Sequence, residues 1–365
     1  MKENPKLKIA VGVSGGVDSA VAAFLLKKAG HDVTGVTMRT WDDDFLAKCG
    51  ELTGGACFIP DGGTRKDDAT KVCEHLEIPL IEVDCSKEFT DNILTYFNDE
   101  YMAGRTPNPC VLCNSEIKFG AFPELVEETG VEFDKFATGH FCRVDFDDST
   151  SRYVLKKGAD SFKDQSYFLY RLTQEQLKKA CFPLGVLTKP EVRQIALEAK
   201  LPVHSKKESQ DFYNGHYGDL LDPGDRPRIG CFVNLDGETL GEHKGFWNYT
   251  KGQRKGLGIA HTAPLYVVDL RPDTNEVVLG ERDALSSTGL VAKSLNIMCK
   301  SLPNRADAKI RSTPNTISSS VELRNNDTEL LVEFDEPQFA VTTGQSVVLY
   351  NGDSVLGGGI ISRSL

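Results

Sequence analysis

The chain has 365 residues, too many for one ordinary core and suited to two or three domains. With 40% hydrophobic and 26% charged residues it is composed like a globular protein, and the lack of any run of about 18 apolar residues excludes a membrane-spanning helix. A formal charge of −11 disfavours phosphate-rich partners over the surface as a whole, so nucleic acid would be met at local basic stretches such as Lys206-Lys207 and Lys251-Gly252-Gln253-Arg254-Lys255.

The polar opening Met1-Lys2-Glu3-Asn4-Pro5 runs directly into strand-like sequence and is not a signal peptide, so a cytoplasmic location is expected. Lys8-Ile9-Ala10-Val11-Gly12-Val13 has the unbroken apolar character of a buried strand. Helical spacing of Val21, Ala22, Phe24 and Leu25 predicts a helix from Ser19 to Ala29, stopped by Gly30. Asp32–Met38 is a second strand, Ala69–Leu76 a helix, Leu80–Asp84 a third strand, Phe89–Tyr101 a helix, and Lys135–Gly139 a short strand. This alternation predicts an α/β domain over 1–220, a Rossmann-like parallel sheet covered on both faces. Beyond it helical periodicity fades, and short alternating runs are punctuated by Asp236-Gly237, Pro272-Asp273 and Asn351-Gly352. A small central domain over 221–286 and a β-barrel-like domain over 287–365 are expected. Gly357-Gly358-Gly359 reads as a bulge or a close backbone approach.

Between the first strand and the first helix stands Ser14-Gly15-Gly16-Val17-Asp18-Ser19. Adjacent glycines let the backbone turn tightly and approach a ligand, and the N–H groups and dipole of a helix start favour an anion. Ser14 and Ser19 add hydroxyl donors. The Gly-Lys-Ser/Thr ending of a Walker loop is absent, and so is Gly-x-Gly-x-x-Gly. The hexapeptide resembles the PP-loop of the N-type ATP pyrophosphatases. That resemblance implies ATP with Mg²⁺, with Asp18 serving the metal. It places Gly12, Val13, Ser14, Gly15, Gly16, Val17, Asp18 and Ser19 around the nucleotide and Met38 at the adenine.

The second dense patch is Gly104-Arg105-Thr106-Pro107-Asn108-Pro109-Cys110-Val111-Leu112-Cys113-Asn114, where two prolines stiffen a segment bearing two thiols three apart. Such spacing suits a metal-ligand pair, a redox pair, or a nucleophilic thiolate with a neighbour. The ten cysteines are otherwise scattered, which favours reduced thiols or metal ligands over a disulfide framework. Extended from Gly104 to Phe119 and taken with Thr138-Gly139-His140, Lys163–Leu169, Glu208-Ser209-Gln210-Asp211-Phe212 and Tyr249–Gly258, the patch resembles the tRNA-uridine 2-sulfurtransferases (MnmA/TrmU), in order along nearly the whole chain.

Members of that family exchange O2 of the wobble uridine (U34) of certain tRNAs for sulfur, through an adenylated uridine. By resemblance, Cys113 is the first catalytic cysteine, and Asn108, Pro109 and Cys110 touch the target base. Lys163, Asp164 and Gln165 form a tRNA-contacting loop. Gly139 meets the nucleotide and His140 lies beside it near the tRNA. Arg311, Ser312 and Gln345 occupy positions of further tRNA contacts. A sulfur donor protein or inorganic sulfide is implied as a further partner.

Two departures bear on the sulfur chemistry. Many members carry Asp where Cys110 stands, and a persulfide-bearing second cysteine where this chain has Tyr213. Gain and loss together suggest altered sulfur delivery; resemblance to related tRNA thiolases that hold a [4Fe–4S] cluster on three cysteines implies Cys110 and Cys113 as two ligands, with Cys57 as the first choice for a third, ahead of Cys49 and Cys73. Cys142, Cys181, Cys231 and Cys299 read as packing residues. Two alternative functions compete: an ATP-dependent amidotransferase or ligase acting on a small molecule, and a non-catalytic tRNA-binding relic.

Overall fold

The computed structural model describes residues 5–41, 64–207, 213, 217–224 and 226–365. Cys49, Cys57 and the stretch 208–212 lie outside the described residues.

Five parallel strands form the first sheet: β1 Lys8–Gly12, β2 Asp32–Arg39, β3 Leu80–Asp84, β4 Lys135–Ala137 and, after a hairpin described below, β7 Ala180–Cys181, in the order β3-β2-β1-β4-β7. The unbroken apolar run of β1 is explained by burial on both faces. Ile9 and Val11 point to one side and Ala10 to the other, all at 2% exposure or less. The Ile9 face packs on Ala20, Val21 and Leu26 of α1 (Val17–Lys28), on Val72 and Cys73 of α2 (Thr64–His75), and on Val192 and Ala196 of a later helix. The Ala10 face packs on two helical runs, α3 over 86–102 and α4 over 109–128, through Phe89, Ile93, Phe97, Ile117, Phe122 and Val126. Each fully buried side chain of this size contributes roughly 1.5–3 kcal/mol.

Both α3 and α4 carry an internal π-helical stretch, at Thr90–Leu94 and at Cys113–Ala121. In α4 the stretch ends where the Phe122 N–H reaches the Ile117 carbonyl, five residues back. Shorter helices follow, α5 Gln174–Lys179 and α6 Lys189–Glu198, and both start with a Thr capping box.

Before β7 the chain makes a hairpin, β5 Cys142–Asp147 and β6 Arg152–Lys157, which sequence patterning did not indicate. It leaves the α/β sheet and pairs with the last strand of the chain, Lys156 against Ser354. Its strands are only partly apolar because they extend another domain's sheet at the edge.

The β-rich half holds two sheets. β8 Gly230–Val233, β9 Thr239–His243, β10 Tyr266–Arg271 and β11 Glu276–Gly280 are ordered β10-β11-β8-β9. β12 Ser286–Ile297, β13 Arg305–Lys309, β14 Ile317–Arg324, β15 Glu329–Phe339, β16 Ser346–Asn351 and β17 Ser354–Ser364 run in the order β12-β15-β14-β13-β16-β17, and β12 also pairs with β17 to close a barrel. The triple glycine lies where β17 crosses between β12 and β16. A Cβ at Gly357 would fall 2.3 Å from the Asn296 carbonyl oxygen, and one at Gly358 2.1 Å from that of Val347. The close approach read from the sequence is what the structure has.

The barrel is anchored to the α/β domain by buried polar groups. Lys309 of β13 pairs with Asp164 at 3.1 Å, with side chains 4% and 2% exposed. Asp164 also accepts hydrogen bonds from the N–H of Gly158 and from the N–H and hydroxyl of Ser166. Tyr167 donates to the Ser346 carbonyl at 2.9 Å, and the hydroxyls of Tyr170 and Ser346 lie 3.2 Å apart.

Candidate nucleotide site and cysteine helix

In an open parallel sheet, a crevice forms at the strand ends where connections depart in opposite directions. Here β1 continues to β2 on one side, while β4 lies on its other side. The loops leaving β1 and β4 therefore face each other across a cavity of about 250 Å³. Its walls include Gly12, Val13, Ser14, Asp18 and Ser19 from the first loop, Met38 and Trp41 after β2, and Thr138, Gly139 and His140 after β4. Lys118 and Phe122 come from α4, and Gln165 from the loop beside the barrel. The structure thus gathers Met38, Gly139, His140 and Gln165, which are far apart in sequence, with the loop at 14–19.

Gly15 takes φ +70°, the left-handed turn that frees the loop to fold back over the start of α1. The Ser14 N–H donates to Ser19 Oγ at 3.2 Å, and Ser19 Oγ donates to the Gly16 carbonyl at 3.1 Å. No side chain caps α1. Its first turn is left with the N–H groups that every helix start presents, directed at the cavity. Gly139 closes the opposite wall. A Cβ there would stand 2.7 Å from the Asp18 carbonyl carbon and 2.8 Å from the Ser19 nitrogen, so no larger residue fits.

Asp18 in the first turn of α1 is gripped by Lys189, whose Nζ lies 2.6 and 2.8 Å from the two carboxylate oxygens. The Lys189 side chain is 8% exposed and its ammonium sits 5.6 Å from the Phe141 ring centroid. The capping box of Thr188 and Glu191 starts α6 there and sets Lys189 in its first turn. His140 is wedged between the rings of Phe119 and Phe182, and its Nδ1 lies 2.7 Å from Thr138 Oγ1. Burial, helped by the positive charge of Lys118, holds the imidazole down to about 3, so it is neutral at pH 7.

The second part of the site begins α4. Asn108 is its N-cap and its side chain accepts from the Val111 N–H, while Pro109 holds the first helical position. Cys110 and Cys113 follow at a spacing of three, hence on one side of the helix. Cys110 is half-buried and Cys113 is 6% exposed. Neither lines the cavity, but the same helix continues from them to Lys118 and Phe122, which do. Cys85, which sequence reasoning passed over, lies beside Cys113 at the end of β3. Burial, with the charges of Glu88 and Asp84 and the neighbouring Cys113, pushes its thiol up to about 12. Cys73 packs on the opposite face of the sheet, its thiol pushed up to about 11 by burial.

The segment before the cysteines is held by the other domains. The Thr106 N–H donates to the Thr343 carbonyl, and Gln345 Nε2 donates to the carbonyls of Thr106 and Pro107. Arg311 donates to the Phe339 carbonyl at 2.7 Å, and Ser312 beside it is exposed. Lys163 is half-buried. The Asp164 carboxylate faces the interior rather than a ligand, and its four hydrogen-bonding partners hold the 158–166 loop in place. Tyr213 is 3% exposed and stacks on Tyr217, which meets Phe97 edge-on. Among the described residues, no group of three His, Cys, Asp or Glu side chains is placed to hold a metal.

A parallel sheet with this loop at its switch point, followed by two β domains, defines a PP-loop nucleotide-binding protein of the α/β class. Family models match three consecutive stretches: the tRNA methyl transferase HUP domain over 7–213, the tRNA methyl transferase PRC-barrel domain over 223–281 and the aminomethyltransferase β-barrel domain over 287–361. The tRNA-specific 2-thiouridylase MnmA of Endomicrobium trichonymphae is 47% identical over 362 residues, 98% of this chain and 99% of that one. That of Clostridioides difficile (strain 630) is 42% identical over 366 residues, with 98% and 99% covered. The chain belongs to the MnmA family of tRNA-specific 2-thiouridylases.

Proposed function

We propose that this protein replaces O2 of a tRNA uridine with sulfur at the expense of ATP, the uridine being that of the wobble position. A carbonyl oxygen of this kind is a poor leaving group until it is joined to phosphorus. O2 attacks the α-phosphorus of ATP, pyrophosphate departs, and the adenylated uridine is then attacked at C2 by sulfur with loss of AMP. The base leaves its stack to enter the site. The observation that carries this reading is the single helix α4, which begins with Cys110 and Cys113 and walls the nucleotide cavity with Lys118 and Phe122.

In this reading the first turn of α1, Ser14 and Ser19 hold the phosphates. Asp18, whose carboxylate Lys189 holds at the loop, would be the residue to bind Mg²⁺ accompanying ATP, Met38 contacts the adenine, and Gly139 lets the nucleotide lie against the loop. Asn108, Pro109 and Cys110 meet the target base, and Cys113 presents the sulfur. His140 donates or accepts a hydrogen bond as a neutral ring beside the base. Lys163, Gln165, Arg311, Ser312 and Gln345 contact the tRNA, while Asp164 fixes the loop that carries its neighbours.

The chain's own residues bear on the [4Fe–4S] reading. Cys110 and Cys113 supply two thiols, no third His, Cys, Asp or Glu among the described residues is grouped with them for a metal, and Cys57 lies outside the described residues. The described residues therefore do not complete a three-cysteine site, and no step above passes through a cluster. Iron and sulfide analysis of oxygen-free protein decides that point separately.

The test of the function is mass spectrometry of tRNA incubated with the protein, ATP and a sulfide or persulfide donor. The expected product is 2-thiouridine with one AMP per sulfur. Absence of 2-thiouridine, with ATP–pyrophosphate exchange stimulated by a small metabolite instead of tRNA, overturns it.

A further inference from the structure

We infer that Lys118 is a catalytic residue of this site, its ammonium binding the α-phosphate of ATP and then the phosphate of the departing AMP. The inference rests on the proposed thiolation for its chemistry and on the following geometry for its location.

Lys118 lines the cavity together with Ser19, Gly139 and His140. It is half-buried and pairs with no carboxylate among the described residues. A partly desolvated ammonium without a counter-ion, facing a helix start that attracts anions, is a site for a phosphate oxygen. Thr138, Gly139 and His140 after β4 line the same cavity, so Lys118 faces that wall. The loop end of the cavity already has its cation, since Lys189 holds Asp18 there. Lys118 instead enters from α4, the helix that carries the cysteines. The phosphorus shared by nucleotide and uridine is the one that must lie between these two walls.

The π-helical stretch supports the same assignment. In an α-helix at 3.6 residues per turn, five positions leave two side chains roughly 140° apart around the axis. Over Cys113–Ala121 the i→i+5 pattern widens the turn to about 4.4 residues, which cuts that offset to roughly 50° and brings Lys118 nearer to the side of Cys113. Sulfur approach at C2 and charge build-up on the leaving phosphate are thereby served by one helical turn. In that step the C2–S bond forms and the C2–O bond breaks. The bonding pair stays on the phosphate oxygen of AMP, and Lys118 keeps its proton while donating a hydrogen bond to that oxygen.

The test compares wild type, Lys118→Met and Lys118→Arg. Binding of AMP and of pyrophosphate to the protein alone is measured by calorimetry, and 2-thiouridine formation by mass spectrometry. Lys118→Met is expected to weaken AMP binding about tenfold or more and to leave pyrophosphate binding within twofold. It is expected to lower the turnover of thiolation about 100-fold, with Lys118→Arg regaining a tenfold share. Unchanged AMP affinity in Lys118→Met overturns the inference, as does an equal loss for both ligands with a lowered melting temperature. Wild type that binds AMP through Lys118 yet makes no 2-thiouridine supports the phosphate contact and refutes the proposed function instead.

Discussion

The ion pair between Lys309 and Asp164 offers a test of how the barrel controls the nucleotide site. Substituting Lys309→Met keeps the length of the side chain and removes the ammonium from a carboxylate that is 2% exposed. Stripping one partner from a buried pair costs about 3–5 kcal/mol, because the remaining charge has neither water nor counter-ion. Asp164 retains three hydrogen-bond donors, the N–H groups of Gly158 and Ser166 and the Ser166 hydroxyl, which place the cost near the lower limit, about 3 kcal/mol. The ammonium also lies 5.1 Å from the Tyr350 ring centroid, a contact worth about 0.5–2 kcal/mol that methionine replaces only in part. A chain of several domains need not unfold in one step, so the cost is best measured by hydrogen exchange at the amides of Gly158, Ser166 and β13. Faster exchange by roughly 100-fold is expected at these amides, with little change in β1. The double variant Lys309→Met with Asp164→Leu should be more stable than the single one, since it leaves no buried charge. A loss below about 1 kcal/mol in Lys309→Met, or strictly additive losses in the double variant, would refute the reasoning.

Gly139→Ala should raise the KM for ATP at least tenfold and lower the melting temperature as well, because the new methyl meets the Asp18 and Ser19 backbone and displaces the nucleotide loop; unchanged ATP affinity would count against the cavity as the nucleotide site. His140, held near 3 by burial and by Lys118, is neutral when folded and takes up a proton when unfolded below its ordinary value of 6.5. Its contribution is therefore fully present above about pH 6.5 and is lost toward pH 3, at up to about 1.4 kcal/mol per pH unit. His140→Gln should flatten the fall of the denaturation midpoint between pH 6.5 and 4.5, whereas a His140 ring proton titrating near pH 6.5 by NMR would show that the ring is not enclosed. His243, also lowered by burial, adds to the same acid slope and supplies the residual dependence in that variant.

Much of the α/β domain was legible because its signals are local. The apolar run at 8–13, the helical spacing after Ser19 and the stop at Gly30 are short-range patterns, and the strands and helix they announce are present as β1 and α1. The loop at 14–19 was legible for the same reason: its glycines and hydroxyls do their work within one turn. The hairpin of β5 and β6 was not, because its strands are stabilised by β17, some two hundred positions later, and carry little apolar alternation of their own.

For the site, sequence alone determined which residues have the chemistry: a phosphate loop, two thiols at helical spacing and no thiol at 213. Only the tertiary structure decided who meets whom. Asp164 looks like a surface residue in a polar loop, yet Lys309 arrives from the barrel and buries it. Asp18 and Lys189 are separated by 171 positions and share one ion pair. Lys118 falls within the family-like segment but had no role assigned from sequence, and Cys85 lies in no motif; a π turn and a strand end place them beside the cavity and beside Cys113. Local conformation follows from neighbours along the chain, whereas the charge and solvent exposure that make a side chain reactive follow from neighbours in space.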